Sequence, residues 1–251
     1  MYVVLFFLLL FFNPAAALEV DSDYVYLPAT TGYTAETWVQ INFGTTFSEV
    51  PIVITTPGPS TGGNPFTIRI RNITTTGFEA QTVEPNGPHD PRHYAVDMTY
   101  IAIEEGTHGL PDGSMIIAGR TNVIEEQMSG VAGAWLTETF PVEFDDTPAI
   151  LAQIQTINNE TGLMPIDASE PWLTVAISNG SIAGFDVALE RSEVDVGSII
   201  TTEEVGWVAI TPNSNGLLTD IAGDDVLWES ILINPSLNGI GKSDGCTVEL
   251  L

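Results

Sequence analysis

Residues 67–83 read Thr67-Ile68-Arg69-Ile70-Arg71-Asn72-Ile73-Thr74-Thr75-Thr76-Gly77-Phe78-Glu79-Ala80-Gln81-Thr82-Val83. The first five alternate polar and apolar, with both arginines on one face, which is the period of a half-buried β-strand. A threonine-rich turn ends at Gly77, and Phe78 to Val83 forms the returning strand. Upstream, Thr37 to Phe43 alternates too, setting Trp38, Gln40 and Asn42 against Val39, Ile41 and Phe43. Pro51 to Thr55 is a short apolar run suited to a central strand, and Pro57-Gly58-Pro59 breaks it. Downstream, Met98 to Ile103 is the next strand. No segment sustains an apolar 3.6-residue period with caps, so the expected class is all-β.

The pattern recurs. Trp38 and Pro51 are 13 residues apart, as are Trp135 and Pro148, and the pairs are offset by 97. Gly77-Phe78 answers Gly184-Phe185, and Tyr100-Ile101-Ala102-Ile103 answers Trp207-Val208-Ala209-Ile210, both at 107. Ala118-Gly119 answers Ala222-Gly223 at 104. The growing offset implies a longer loop in the second copy. Strands are expected there at Phe140–Phe144, Ala149–Ile154, Leu173–Ile177, Phe185–Leu189 and Val205–Ile210. The expected architecture is two tandem antiparallel β-sandwich domains of about six strands each. They span 18–120 and 121–225. A tail, 226–251, brings one more strand that closes the second sandwich or docks on a neighbour.

The order Phe47-x-x-x-Pro51, Ile68-Arg69-Ile70, Asn72 to Gly77-Phe78, and Met98-Thr99-Tyr100-Ile101-Ala102-Ile103 resembles the H-type lectin domain, the snail-agglutinin and discoidin C-terminal family. The resemblance covers Trp38 to Ile103 and, more faintly, Trp135 to Ile210. It implies a six-stranded antiparallel sandwich, usually trimeric, that binds GalNAc-type sugars at subunit interfaces. Tyr94 falls where the family places a sugar-contacting tyrosine. The family's sugar-binding arginine falls near Pro65, so that element is missing, and Arg69 matches a different arginine. In the second copy the tyrosine position is Thr201, which implies a structural rather than a binding copy.

The chain has 251 residues and a formal charge of −27, from 33 acidic against 6 basic side chains. Six scattered cations exclude nucleic acid and anionic membranes as partners, since both need clustered Lys and Arg. One cysteine, Cys246, rules out a disulfide framework and leaves an inert thiol or an intermolecular bond. Tyr2 to Phe12 is an apolar run followed by Asn13-Pro14 and Ala15-Ala16-Ala17. This reads as a signal peptide over 1–17, with a buried strand or uncleaved anchor as the alternative. Eleven apolar residues are fewer than the roughly 20 a membrane helix needs. The expected location is extracellular, where the sequons at Asn72, Asn159 and Asn179 are candidate glycosylation sites.

The densest polar cluster is Glu84 to Tyr94, which holds His89, Arg92 and His93. Sugars are held by aromatic faces and planar polar groups, so Tyr94, His93, Arg92, Arg69 and Asp97 are the candidate ligand-binding residues, with a plain surface loop as the other reading. Zinc is disfavoured, because Pro88 and Pro91 break the helix that His89 and His93 need at four-residue spacing. Calcium is the candidate cofactor. Asp220, Asp224 and Asp225 offer it carboxylates, as do Asp21 with Asp23 and the Asp145-Asp146 pair. A solvated acidic surface is the alternative. No nucleophile elbow, HExxH or phosphate loop is present, so a non-enzyme is expected. The primary expectation is a secreted lectin-like protein for glycans or glycoproteins, assembled as a homo-oligomer. The alternative is a structural subunit of an extracellular filament, sheath or coat.

Overall fold

The computed structural model describes residues 18–29, 38–58, 65–85, 94–128, 133–161, 169–192 and 197–230. Its first half contains β1 (Val20–Leu27), β2 (Val39–Asn42), β3 (Ile52–Pro57), β4 (Thr67–Thr74), β5 (Gly77–Val83) and β6 (Val96–Ile103). These form two antiparallel sheets, β1-β6-β3 and β2-β5-β4. Leu27, Val53, Met98, Tyr100 and Ala102 from one sheet pack on Ile41, Ile70, Phe78 and Ala80 from the other, so the two sheets enclose one core. Then come β7 (Gly106–Gly109), β8 (Met115–Val123), β9 (Glu126–Gln127), β10 (Leu136–Thr139), β11 (Ala149–Ile154), β12 (Leu173–Ser181), β13 (Gly184–Arg191) and β14 (Glu203–Ile210). They build the sheets β11-β14-β8-β7 and β10-β13-β12, with β9 added parallel to β13. A hairpin of β15 (Ser214–Thr219) and β16 (Asp225–Ser230) follows. The all-β antiparallel sandwich class is as expected.

The pairing of the first sandwich recurs in the second, strand by strand. Ile52 opposes Ile103 as Ala149 opposes Ile210, and Ile70 opposes Ala80 as Ile177 opposes Val187. The displacement is therefore 149 − 52 = 97 on β3 and 177 − 70 = 107 on β4, and the ten extra residues fall between β11 and β12 in the sequence. Each core is keyed by four rings. Phe43 meets Phe47 edge-on at 5.1 Å, and Phe78 meets Tyr100 at 5.1 Å. Phe140 meets Phe144 at 5.2 Å and Phe185 meets Trp207 at 5.4 Å. Such T-shaped pairs add roughly 0.5–1.5 kcal/mol each beyond burial.

The hairpin tips explain why Gly-Phe marks both copies. A Cβ on Gly77 would stand 2.1 Å from the Ile41 carbonyl oxygen, and one on Gly184 would stand 2.1 Å from that of Glu138. Asn72 (φ 52°) and Asn179 (φ 50°) sit in the left-handed region, which asparagine tolerates better than most residues.

Several boundaries differ from the sequence reading. Met115–Val123 is one continuous strand that pairs with β14, so residue 120 is not a boundary and the second sandwich begins near β7. The expected strand at Phe140–Phe144 is a loop. Its strand lies earlier, at β10, while both phenylalanines turn into the core. Ala118-Gly119 lies in β8 and Ala222-Gly223 in the turn before β16, so these two are not counterparts. The tail strand pairs with β15 rather than with either sandwich. Residues 1–17, Cys246 and the chain past Ser230 lie outside the described residues.

A third apolar cluster joins the sandwiches. Ile52, Ile54 and Ile103 meet Ile116, Ala118 and Val208, and Trp228 of β16 covers them. This contact explains the unbroken apolar run of β3. By order β3 is an edge strand, yet Val53 faces its own core while Ile52 and Ile54 face the seam.

Candidate functional site

The sheet β1-β6-β3 has one face in the first core, and its other face grades from apolar to polar. At one end Val20, Ile101 and Ile103 face a small apolar cavity under the tail hairpin. At the other, Tyr24 and Tyr26 of β1 stand out at 60% and 61% exposure. Strand alternation puts them on one side, opposite Thr99 and Asp97 of β6. Tyr94 lies two residues before β6, at the end where Tyr26 opposes Asp97, and is 63% exposed. A hydrogen bond from the Tyr24 hydroxyl to Asp97 is the main reason that the phenol sits above its ordinary pKa. The Gly58 N–H donates to the Asp97 carbonyl at 2.6 Å. A Cβ on Gly58 would lie 2.9 Å from that oxygen, so glycine is what lets the chain close there. Aromatic faces beside a carboxylate match the two contacts a pyranose offers, a C–H face and vicinal hydroxyls.

Of the ligand-binding candidates, the structure brings Tyr94 and Asp97 to this end of the sheet. Arg92 and His93 lie outside the described residues, as does His89. Arg69 goes elsewhere. It is 2% exposed, its Nε donates to Glu160 Oε2 at 2.9 Å, and its Nη2 donates to the Thr156 carbonyl at 3.0 Å. It thus joins the sandwiches and is out of reach of a glycan. Alternation placed it on the outer face correctly, but the second sandwich covers that face. Among the described residues, the other two arginines up to residue 120 are also held in ion pairs. Arg71 pairs with Glu79 and lies over Trp38. Arg120 pairs with Glu204 at 2.7 Å and donates to the carbonyls of Val50 and Pro51.

Tyr24 and Tyr26 join this end of the sheet beside the two candidates. Their signal in the sequence is the alternation Tyr24-Val25-Tyr26, next to the carboxylates of Asp21 and Asp23. Asp21 is buried, accepting from the Tyr100 hydroxyl at 2.6 Å and from the Gly44 N–H at 3.1 Å. Asp220 accepts from the Asp224 N–H at 2.7 Å, closing the turn of the last hairpin. Among the described residues no three His, Cys, Asp or Glu side chains converge to hold a metal. Of the calcium candidates, Asp220 and Asp224 flank the turn between β15 and β16, and Asp225 opens β16 opposite Thr219.

In the second sandwich the face has a different content. Arg120 opposes Gly206 and Asn122 opposes Glu204, in the places of Tyr24 with Thr99 and Tyr26 with Asp97. The Tyr24–Asp97 hydrogen bond becomes the Arg120–Glu204 ion pair, and Arg120 turns it toward the first sandwich.

Residues 38–103 match the H-type lectin domain. The chain is also similar to "Halomucin" of Haloquadratum walsbyi (strain DSM 16790 / HBSQ001), at 28% identity over 193 residues. That alignment covers 72% of this chain and 2% of the halomucin, so the chain spans a small part of that relative. No solved structure matches. Among the described residues no helix is long and apolar enough to cross a membrane.

Proposed function

We propose, from the H-type lectin match over residues 38–103, that this chain is an extracellular, non-catalytic glycan-binding protein and that its first sandwich holds the binding face. The observation that carries this reading is the exposed group of Tyr24, Tyr26 and Tyr94 around Asp97. Three large aromatic side chains stand exposed at one sheet end, and exposed aromatic clusters mark binding surfaces. The second sandwich is read as a diverged copy that supports the first, because its equivalent positions are taken by Arg120 and Glu204. Homo-oligomers of the chain would multiply weak single-site affinity.

The test is glycan-array binding by the purified chain, with Tyr24→Ala and Tyr94→Ala beside it. Each substitution is expected to weaken binding about fivefold or more, since aromatic anchors commonly contribute over ~1 kcal/mol. Stability should move by less than about 0.5 kcal/mol, as these are surface positions. No binding to any glycan, or binding untouched in both variants, sinks the reading. If the preparation instead forms long polymers, the filament or coat subunit becomes the better account.

A further inference from the structure

Three Asn-x-Ser/Thr tripeptides occur in the chain, and the fold treats them in two different ways. Asn159 is saturated. Its Nδ2 donates to the Thr201 carbonyl at 2.9 Å and to Glu203 Oε1 at 2.8 Å. Its Oδ1 accepts from the N–H of Ile200 at 2.8 Å and of Thr201 at 3.1 Å. Two donors and two lone pairs are the whole capacity of a carboxamide. Glu203, which it holds, is 0% exposed and also accepts from Thr156 and from the N–H of Asn158. A sugar on Nδ2 would remove one donor and force its bulk against Thr201 or Glu203.

Asn72 and Asn179 are exposed and occupy the same place in the two sandwiches. Each makes one side-chain bond, from Nδ2 to Glu79 at 3.1 Å and to Asp186 at 2.7 Å respectively. One Nδ2 hydrogen can be replaced without losing that bond. The hydroxyl two residues on is also set by the turn. Thr74 Oγ1 donates to the Gly77 carbonyl at 3.1 Å, and Ser181 Oγ donates to that of Gly184 at 3.0 Å. One hairpin geometry thus writes the sequon twice, at tips that point into solvent.

We infer that Asn72 and Asn179 are the N-glycan acceptors of the folded protein and that Asn159, despite an intact sequon, is not. The donor class is a lipid-linked oligosaccharide. Its C1–O bond to phosphate breaks with the electron pair leaving on the phosphate, C1 bonds to Nδ2, and Nδ2 loses one proton. Attachment precedes or accompanies folding, so the fold decides which products survive.

This inference rests on export, part of the proposal above, and the experiment separates the two. The chain is produced in a eukaryotic secretory host with its own residues 1–17 and, in parallel, with a leader proven in that host. Glycopeptide mass spectrometry is run on secreted and retained protein. The expected secreted species carries glycan at both Asn72 and Asn179, with Asn159 bare. Retention with the chain's own leader, but this pattern with the proven one, defeats export and leaves the inference standing. Secreted protein with glycan on Asn159, or with either hairpin asparagine bare throughout the pool, overturns it. A second readout avoids the host altogether. Unglycosylated Asn159→Gln should melt several degrees lower while Asn72→Gly, which keeps the left-handed backbone and adds no charge beside Glu79, melts near the parent; an unchanged Asn159→Gln also overturns the inference.

Discussion

The side-chain amide of Gln155 closes two hydrogen bonds on the backbone of Val53: the Val53 N–H donates to Oε1 at 3.0 Å, and Nε2 donates to the Val53 carbonyl at 2.8 Å. A glutamine thereby stands in for a neighbouring strand at the buried edge of β3. Gln153 repeats the device one step along, accepting from the Thr55 N–H at 2.6 Å. Gln155→Ala would strand two backbone groups in a buried seam. Each unsatisfied group costs about 1–3 kcal/mol, so a loss of roughly 3 kcal/mol is expected in urea unfolding. A loss under about 1 kcal/mol would show that the seam opens at that edge.

The seam also carries a titrating carboxyl. Glu160 is buried against Arg69, with Glu203 and Glu170 nearby, and burial pushes its pKa up to about 7 while Arg69 opposes the shift. The unperturbed value is 4.5, so the folded state holds the proton more tightly than the unfolded chain. The associated stability is present in full below about pH 4.5 and is lost as pH rises through about 7, by up to roughly 3 kcal/mol. Urea unfolding of wild type and Glu160→Gln across this window checks it. The difference between them should shift in favour of the variant as pH rises; a flat difference would refute the assignment.

Gly77 and Gly184 should be irreplaceable for a steric reason. An added Cβ meets a backbone carbonyl at 2.1 Å, which no rotamer can relieve. Gly77→Ala and Gly184→Ala are each expected to cost roughly 2–4 kcal/mol. Gly113 (φ 88°) has open space around it, so Gly113→Ala isolates the backbone term at roughly 1 kcal/mol. Thermal melts of the three variants give the ranking, and equal losses would refute it.

Salt should stabilise the chain. The four arginines within the described residues are each paired with glutamate, leaving a large excess of carboxylates at a net charge of −27. Their mutual repulsion is long-range, and the screening length falls from about 10 Å at 0.1 M to about 3 Å at 1 M. The melting temperature should therefore climb by several degrees over that range of NaCl. A fall would mean that the seam ion pairs outweigh the surface repulsion.

What the sequence determined by itself was local. Alternation at 67–71 and Gly-Phe after a polar turn set strands β4 and β5, and the same turn signal set β12 and β13, because pleat and turn stereochemistry depend on neighbouring residues alone. The 97 and 107 offsets carried the pairing register, since equal spacing puts equal residues on the core face. Tertiary structure alone decided what the outer faces do. Arg69 has the local pattern of a solvent-facing residue and Tyr24 that of an ordinary strand residue. One is buried and the other exposed because the second sandwich lies across β3 and β4 but leaves the far end of β1 and β6 in water. That choice rests on contacts between residues some hundred positions apart, such as Val53 with Gln155, whose energy exists only once both sheets have formed and packed.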